Sequence, residues 1–171
     1  SCPMILAKAC HDTDILLWLC GKRCEAVSSF GSLKHFRPEN RPEGAADRCL
    51  DCKYIDDCPY SAKKQYIDRV AQGYTGWPVN VVEKNPTVDS ITDVLKSSPY
   101  GKCVYDCDNN VVDHQIVNLW LADDVAISFI MSSFNSKSGR TIKVMGTMGD
   151  IEGDMGTNTI ECTVFGKSHE L

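Results

Sequence analysis

The chain has 171 residues and a mass of 18.9 kDa, enough for one domain with its own core and too short for two full ones. Its 18 Lys and Arg against 23 Asp and Glu give a net charge of −5 and a pI near 5.3, and the basic residues are scattered, which argues against nucleic acid or an anionic membrane as partner. No apolar run approaches the roughly 18 residues that a membrane span requires, and the N-terminus lacks a basic segment followed by a hydrophobic one. The sequence therefore predicts a soluble cytoplasmic protein. The final Ser-His-Glu-Leu echoes an ER-retention tail, which without a secretory signal carries no address.

In chain order, apolar residues at Ile5, Leu6, Ala9, Ile15, Leu16 and Leu19 fit a helical period, with Gly21 as its stop. Val27 to Phe36 alternates loosely and predicts a strand. The Pro-, Gly- and charge-rich stretch that follows, to Asp57, is a long surface excursion. Tyr60 to Gln72 predicts a second helix, amphipathic through Ala62, Tyr66, Ile67 and Val70 and ended by Gly73. Thr87 to Ser97 is a third, with Thr87 or Asp89 as cap and Pro99 beyond its end. The rest is sheet: Val111 to Leu121, a turn at Ala122 to Asp124, Val125 to Phe134, then Thr141 to Met145, Asp150 to Gly153 and Thr159 to Phe165. Helices first and a meander of strands afterwards predict a single α+β domain over residues 1–171, an open, mostly antiparallel sheet with helices packed on one face.

Ten cysteines in a chain without an export signal read as reduced thiols rather than a disulfide framework. Cys49, Cys52 and Cys58 stand apart, because they fall in a polar loop insert (37–59) with C-x2-C-x5-C spacing, close enough for three thiolates to converge on one tetrahedral zinc ion. His35, Cys24 or Asp57 is available as a fourth ligand, and a reduced loop clamped by Pro59 is the metal-free alternative. The other seven, Cys103 among them, read as buried thiols or passengers.

The segment Lys102 to Leu121, KCVYDCDNNVVDHQIVNLWL, puts Val112, His114, Ile116, Asn118 and Trp120 on one strand face and Asp113, Gln115, Val117, Leu119 and Leu121 on the other. At this point the chain resembles the C-terminal domain of the Gfo/Idh/MocA oxidoreductases, nicotinamide-dependent enzymes acting mostly on sugars and cyclitols. Cys10 to Asn40 is similar to that family's H-D-x-D helix and first strand, Arg48 to Tyr66 to an insert of one subgroup, and Gly139 to Asp154 to its strand, G-T-x-G turn and strand. These matches run in the same order over most of the chain.

The resemblance implies a substrate-binding and oligomerisation domain, truncated at both ends, of an NAD- or NADP-dependent sugar or cyclitol oxidoreductase. No glycine-rich turn leading into a helix is present to hold a dinucleotide, and Gly146 and Gly149 between two strand-like runs predict a hairpin. The chain alone is thus expected to be inactive and to bind no nicotinamide cofactor. In the resembling enzymes a histidine at the position of His11 lies beside the nicotinamide and moves the hydroxyl proton, a task suited to an imidazole; otherwise His11 is a helix-terminal residue bonded to backbone. Where many members carry an aspartate four residues earlier this chain has Ala7, followed by Lys8, which is expected to contact substrate in its place. Asp12 and Asp14 read as cap and dipole-compensating charge. Asn109, Asp113, His114 and Arg140 are expected at the substrate pocket, with a tight turn at Asn109-Asn110 and cross-strand pairing of His114 as the alternatives. Trp120, Ile127, Phe129 and Met131 are expected to share one apolar sheet face that pairs with a second copy in a homodimer or larger homo-oligomer. Against this enzymatic reading stands a stand-alone, non-catalytic binding or assembly module stabilised by zinc.

Overall fold

A computed structural model describes residues 2–136 and 139–167; the Ser-His-Glu-Leu terminus lies outside them. The fold is α+β, and the chain divides into two compact units, residues 1–132 and 133–171. The strands form two three-stranded antiparallel sheets rather than the expected single layer.

In the first unit, α1 (Met4–Ala7) and α2 (Cys10–Cys20) replace the single helix expected there. The Ala9 amide reaches back to Met4 O at 3.3 Å, a turn wider than the α-helix allows, and the axis breaks at Lys8 and Ala9. Gly21 ends α2 as predicted: at φ 59° and ψ 25° its amide closes onto Leu17 O, a left-handed conformation that costs a side-chain-bearing residue more. Next comes β1 (Cys24–Ser32), three residues earlier than predicted. A π-helical turn at Lys63–Ile67 leads into α3 (Asp68–Ala71), followed by α4 (Val79–Val82) and α5 (Val88–Ser97). Thr87 and Ser90 cap α5 reciprocally, each side-chain oxygen accepting the other's amide at 3.1 and 2.9 Å. Ile91 and Leu95, one turn apart on α5, are fully buried.

β2 (His114–Leu121) lies between β1 and β3 (Val125–Ser132). Period-two alternation buries Val117, Leu119 and Leu121, which meet Ile5 and Leu17 of the helices and Ile127 and Phe129 of β3. Register puts Trp120 opposite Ala126 and Leu119 opposite Ile127. Directly paired residues share a face, so Trp120 lies on the open side while Ile127, Phe129 and Met131 face the core; the expectation that all four share one surface is corrected. The open side carries four rows across the strands: Ala26, Trp120, Ala126; Ser28, Asn118, Ser128; Phe30, Ile116, Ile130; and Ser32, His114, Ser132.

The second unit is a meander of β4 (Thr141–Met145), β5 (Gly149–Asp154) and β6 (Thr159–Val164). Gly146 and Gly149 form the expected hairpin, with the Gly146 amide on Gly149 O at 2.9 Å. Asp154 Oδ1 accepts the amides of Gly156 and Thr157 at the next turn.

Because Leu121 is fully buried while Leu6 is 66% exposed, Leu121→Ala is expected to cost about 2–5 kcal/mol. Leu6→Ala is expected to stay within about 0.5 kcal/mol of the parent. Urea denaturation followed by circular dichroism checks both.

Candidate functional site

Two clusters in the first unit bring chemistry-bearing side chains together. One is built on Asp113, whose side chain is almost completely buried just ahead of β2. Its Oδ2 accepts the amides of Lys34 at 2.9 Å and His35 at 2.6 Å, with the Phe36 amide as a further donor, and its Oδ1 lies 2.7 Å from His114 Nδ1. Burial pushes the carboxyl pKa up, but the His35 amide, the His114 ring and the other amide donors together outweigh it and hold the value below the ordinary 3.8. Asp113 also donates its own amide to Ser32 O at 3.0 Å. With Nδ1 fixed by the carboxylate, the His114 ring presents Nε2 on the open sheet face, 3.4 Å from Ser32 Oγ. A ring so oriented can take up and return a proton at Nε2.

The expected substrate residues do not all gather around it. Asn109 folds onto its own loop, its side chain exchanging long 3.4 Å hydrogen bonds with the backbone of Val111, and Asn109-Asn110 is not in a backbone turn. Lys8 is exposed at the break between the first two helices, with Nζ 5.3 Å from the centre of the Trp77 ring. His11 is exposed in the first turn of α2. Ala9 is the N-cap residue and offers no side-chain acceptor, so Asp12 contributes a first-turn charge rather than the expected cap. Arg140 is exposed in the second unit, just before β4, where its carbonyl accepts the Met155 amide. Gly146 and Gly149 belong to a β-hairpin, and a Cβ on Gly149 would sit 2.1 Å from Thr163 O; that backbone is committed to its sheet and does not fit a dinucleotide phosphate.

The second cluster was only half visible beforehand. Cys49, Cys52 and Cys58 line a single cavity, and the fourth cysteine on its wall is Cys103, read from sequence as a passenger. Tyr54, Ile55, Tyr60, Val104 and Tyr105 supply much of the rest of its lining. The Ala62 amide donates to Cys49 Sγ at 3.1 Å, and the Tyr105 amide to the Cys103 sulfur. Burial raises the Cys103 pKa against the lowering effect of that amide and of Arg41. None of the fourth ligands proposed from sequence stands here: Cys24 packs in the sheet core, Asp57 is exposed, and His35 Nε2 is 3.2 Å from Tyr105 Oη within a cluster of Phe36, Tyr60 and Tyr105 rings. Among the described residues no three His, Cys, Asp or Glu side chains already stand in a metal-ligating arrangement.

Backbone and arginine contacts bring the two halves of this cavity together across some 50 residues of sequence. The Cys103 amide donates to Asp47 O at 2.8 Å, Arg48 forms a β-bridge with Lys102, and Arg41 holds Asp47 and Asp106, both at 2.7 Å. Arg48 Nη2 also reaches Ser98 O at 2.8 Å and Leu95 O, closing the end of α5. Gly101 permits that approach, since a Cβ there would lie 1.8 Å from Leu95 O. No signal in a single sequence marks Cys103 as the partner of a loop so far upstream.

Comparison with known protein families, curated proteins and solved structures gives no match for this chain. No helix among the described residues is long and apolar enough to cross a membrane.

A carboxylate whose folded pKa lies below its unfolded one contributes stability above the unfolded value, and that contribution is lost as pH falls through the folded value. Asp113→Ala is therefore expected to cost about 3 kcal/mol or more at neutral pH, since it orphans several buried donors. The gap between variant and parent is expected to narrow as the pH drops below 3.8. Thermal denaturation of both proteins across that range measures it.

Proposed function

We propose that this chain is the substrate-binding and oligomerisation domain of an NAD- or NADP-dependent, cytoplasmic oxidoreductase acting on the CH–OH group of a sugar or cyclitol, and that it is inactive by itself. The observation that carries this reading is the pairing of buried Asp113 with His114 at the end of an open sheet face, which supplies an oriented imidazole beside serine hydroxyls suited to a polyhydroxylated ligand. The ordered sequence matches to the Gfo/Idh/MocA C-terminal domain support it. In that reading His11 attends the reacting hydroxyl, and Asp113 and His114 border the substrate region of the first unit. The cofactor is held by a dinucleotide-binding domain outside this chain.

Two exposed apolar surfaces fit a part that works in an assembly. Phe30 and Ile130, on the open sheet face, are 74% and 68% exposed, and Trp18 on α2 is 75% exposed. A second copy laid sheet to sheet would cover the first surface; the net charge of −5 offers nothing to nucleic acid.

A second reading, a stand-alone binding or assembly module stabilised by zinc, is favoured by one observation, the meeting of Cys49, Cys52 and Cys58 at one cavity.

Heteronuclear NMR titration with glucose and with inositol tests the first reading. Shifts centred on His114 and its neighbouring strand residues are expected, and they are expected to vanish in His114→Ala while NADH fluorescence stays unchanged by the wild-type chain. Absence of polyol shifts at the sheet face, or direct NADH binding by this chain, would overturn it. For the assembly surface, light scattering is expected to give a dimer or larger species that Ile130→Glu converts to a monomer; a wild-type monomer at high concentration would contradict it.

A further inference from the structure

We infer that Cys103 is the fourth ligand of a tetrathiolate zinc site completed by Cys49, Cys52 and Cys58. This rests on the zinc reading of the loop given above and goes beyond it by assigning a ligand from a distant part of the chain.

Four features carry the assignment. All four cysteines wall one cavity, and zinc in structural sites takes four ligands with Zn–S distances of about 2.3 Å. Cys103 is placed there by backbone, through its amide on Asp47 O and the Arg48–Lys102 bridge, so its position does not depend on a mobile side chain. Backbone amides of Ala62 and Tyr105 point at the Cys49 and Cys103 sulfurs, as outer groups around a thiolate site do when they orient its ligands. Finally, between residues 38 and 60 no residue is fully buried, and the regular structure amounts to two three-residue turns, Pro38–Asn40 and Cys49–Asp51. A segment with so little core of its own gains its definition from cross-links, and a metal supplies one.

The charge works out as well. Binding releases four thiol protons to solvent and leaves a zinc–tetrathiolate centre of charge −2, with no change in oxidation state. Arg41 acts on Cys103 from nearby, so one cationic side chain from the loop offsets part of that charge. Among the described residues the thiols do not already stand in a ligating arrangement, so binding draws them together onto the ion.

The test uses the full chain, reduced and anaerobic, titrated with Zn²⁺ alone and, in parallel, with ¹¹³Cd²⁺ for NMR. The expected result is a single zinc per chain by mass spectrometry and a cadmium resonance in the four-sulfur region. Cys103→Ser is expected to move that resonance to the three-sulfur region and to weaken zinc by roughly tenfold or more, whereas Cys107→Ser and His35→Ala leave both unchanged. The wild-type cadmium shift decides the matter even if Cys103→Ser does not fold. A three-sulfur signal in the wild type, or unchanged binding in Cys103→Ser, would refute Cys103 as ligand while leaving zinc in the loop. No uptake of either ion by the wild type, or isolation of the chain with an iron–sulfur chromophore, would remove the zinc reading itself and this assignment with it.

Discussion

The carboxylate of Asp113 is the constraint on which the arrangement of the first unit turns. It sits almost fully buried where β2 begins and binds in two directions at once, to the amides of Lys34 and His35 and to the ring of His114. Burial of a lone charge there would be costly, and the cost is offset only because several donors converge on it. Toward the sheet, the pairing sets the orientation of His114 on the open face. In the other direction, the anchored 34–36 backbone places the His35 and Phe36 rings against Tyr60 and Tyr105, two of the residues that wall the cysteine cavity. One buried acid thus couples the two places in the molecule where chemistry is concentrated.

The cavity itself is assembled by polar stitching rather than by apolar packing. Arg41 spans from the loop to Asp106 by an ion pair, and Arg48 reaches the end of α5 through backbone carbonyls and bridges Lys102 by its own backbone. Their effect is geometric: they set which backbone passes which, and so bring Cys103 to three cysteines 45 to 54 positions upstream. The contrast with the sheet is plain, since there Val117, Leu119 and Leu121 form a continuous apolar seam against the helices and burial alone sets the register.

Much of this was legible in the sequence where the physics is local. The α+β class, the strands of both sheets to within a few residues, the Gly21 stop and the Thr87 cap follow from periodicity and end signals that act over one or two turns. The faces of β2 were likewise readable, because alternation needs no partner. The face of β3 was not: assigning Trp120 to the same side as Ile127 needed the three-residue turn at 122–124 to be translated into a register, and the pairing of Leu121 with Val125 decides that. Division of the strands into two sheets, and the wide turn that splits the first helix, likewise depend on tertiary context. At the candidate sites the pattern repeats. His114 and the loop cysteines announce themselves by residue type and spacing, whereas Asp113 as a buried anchor and Cys103 as a cavity residue depend on contacts across 78 and some 50 positions, which one sequence does not encode visibly.

The most direct measurement is an NMR titration of the Asp113 side-chain carboxyl together with the backbone amides of Lys34, His35 and Phe36. The expected result is one shared inflection below 3.8, with the Tyr105 ring signals responding at the same pH because the anchored loop carries their neighbours. A carboxyl that titrates at its ordinary value, or amides that do not follow it, would show that Asp113 does not hold these elements together.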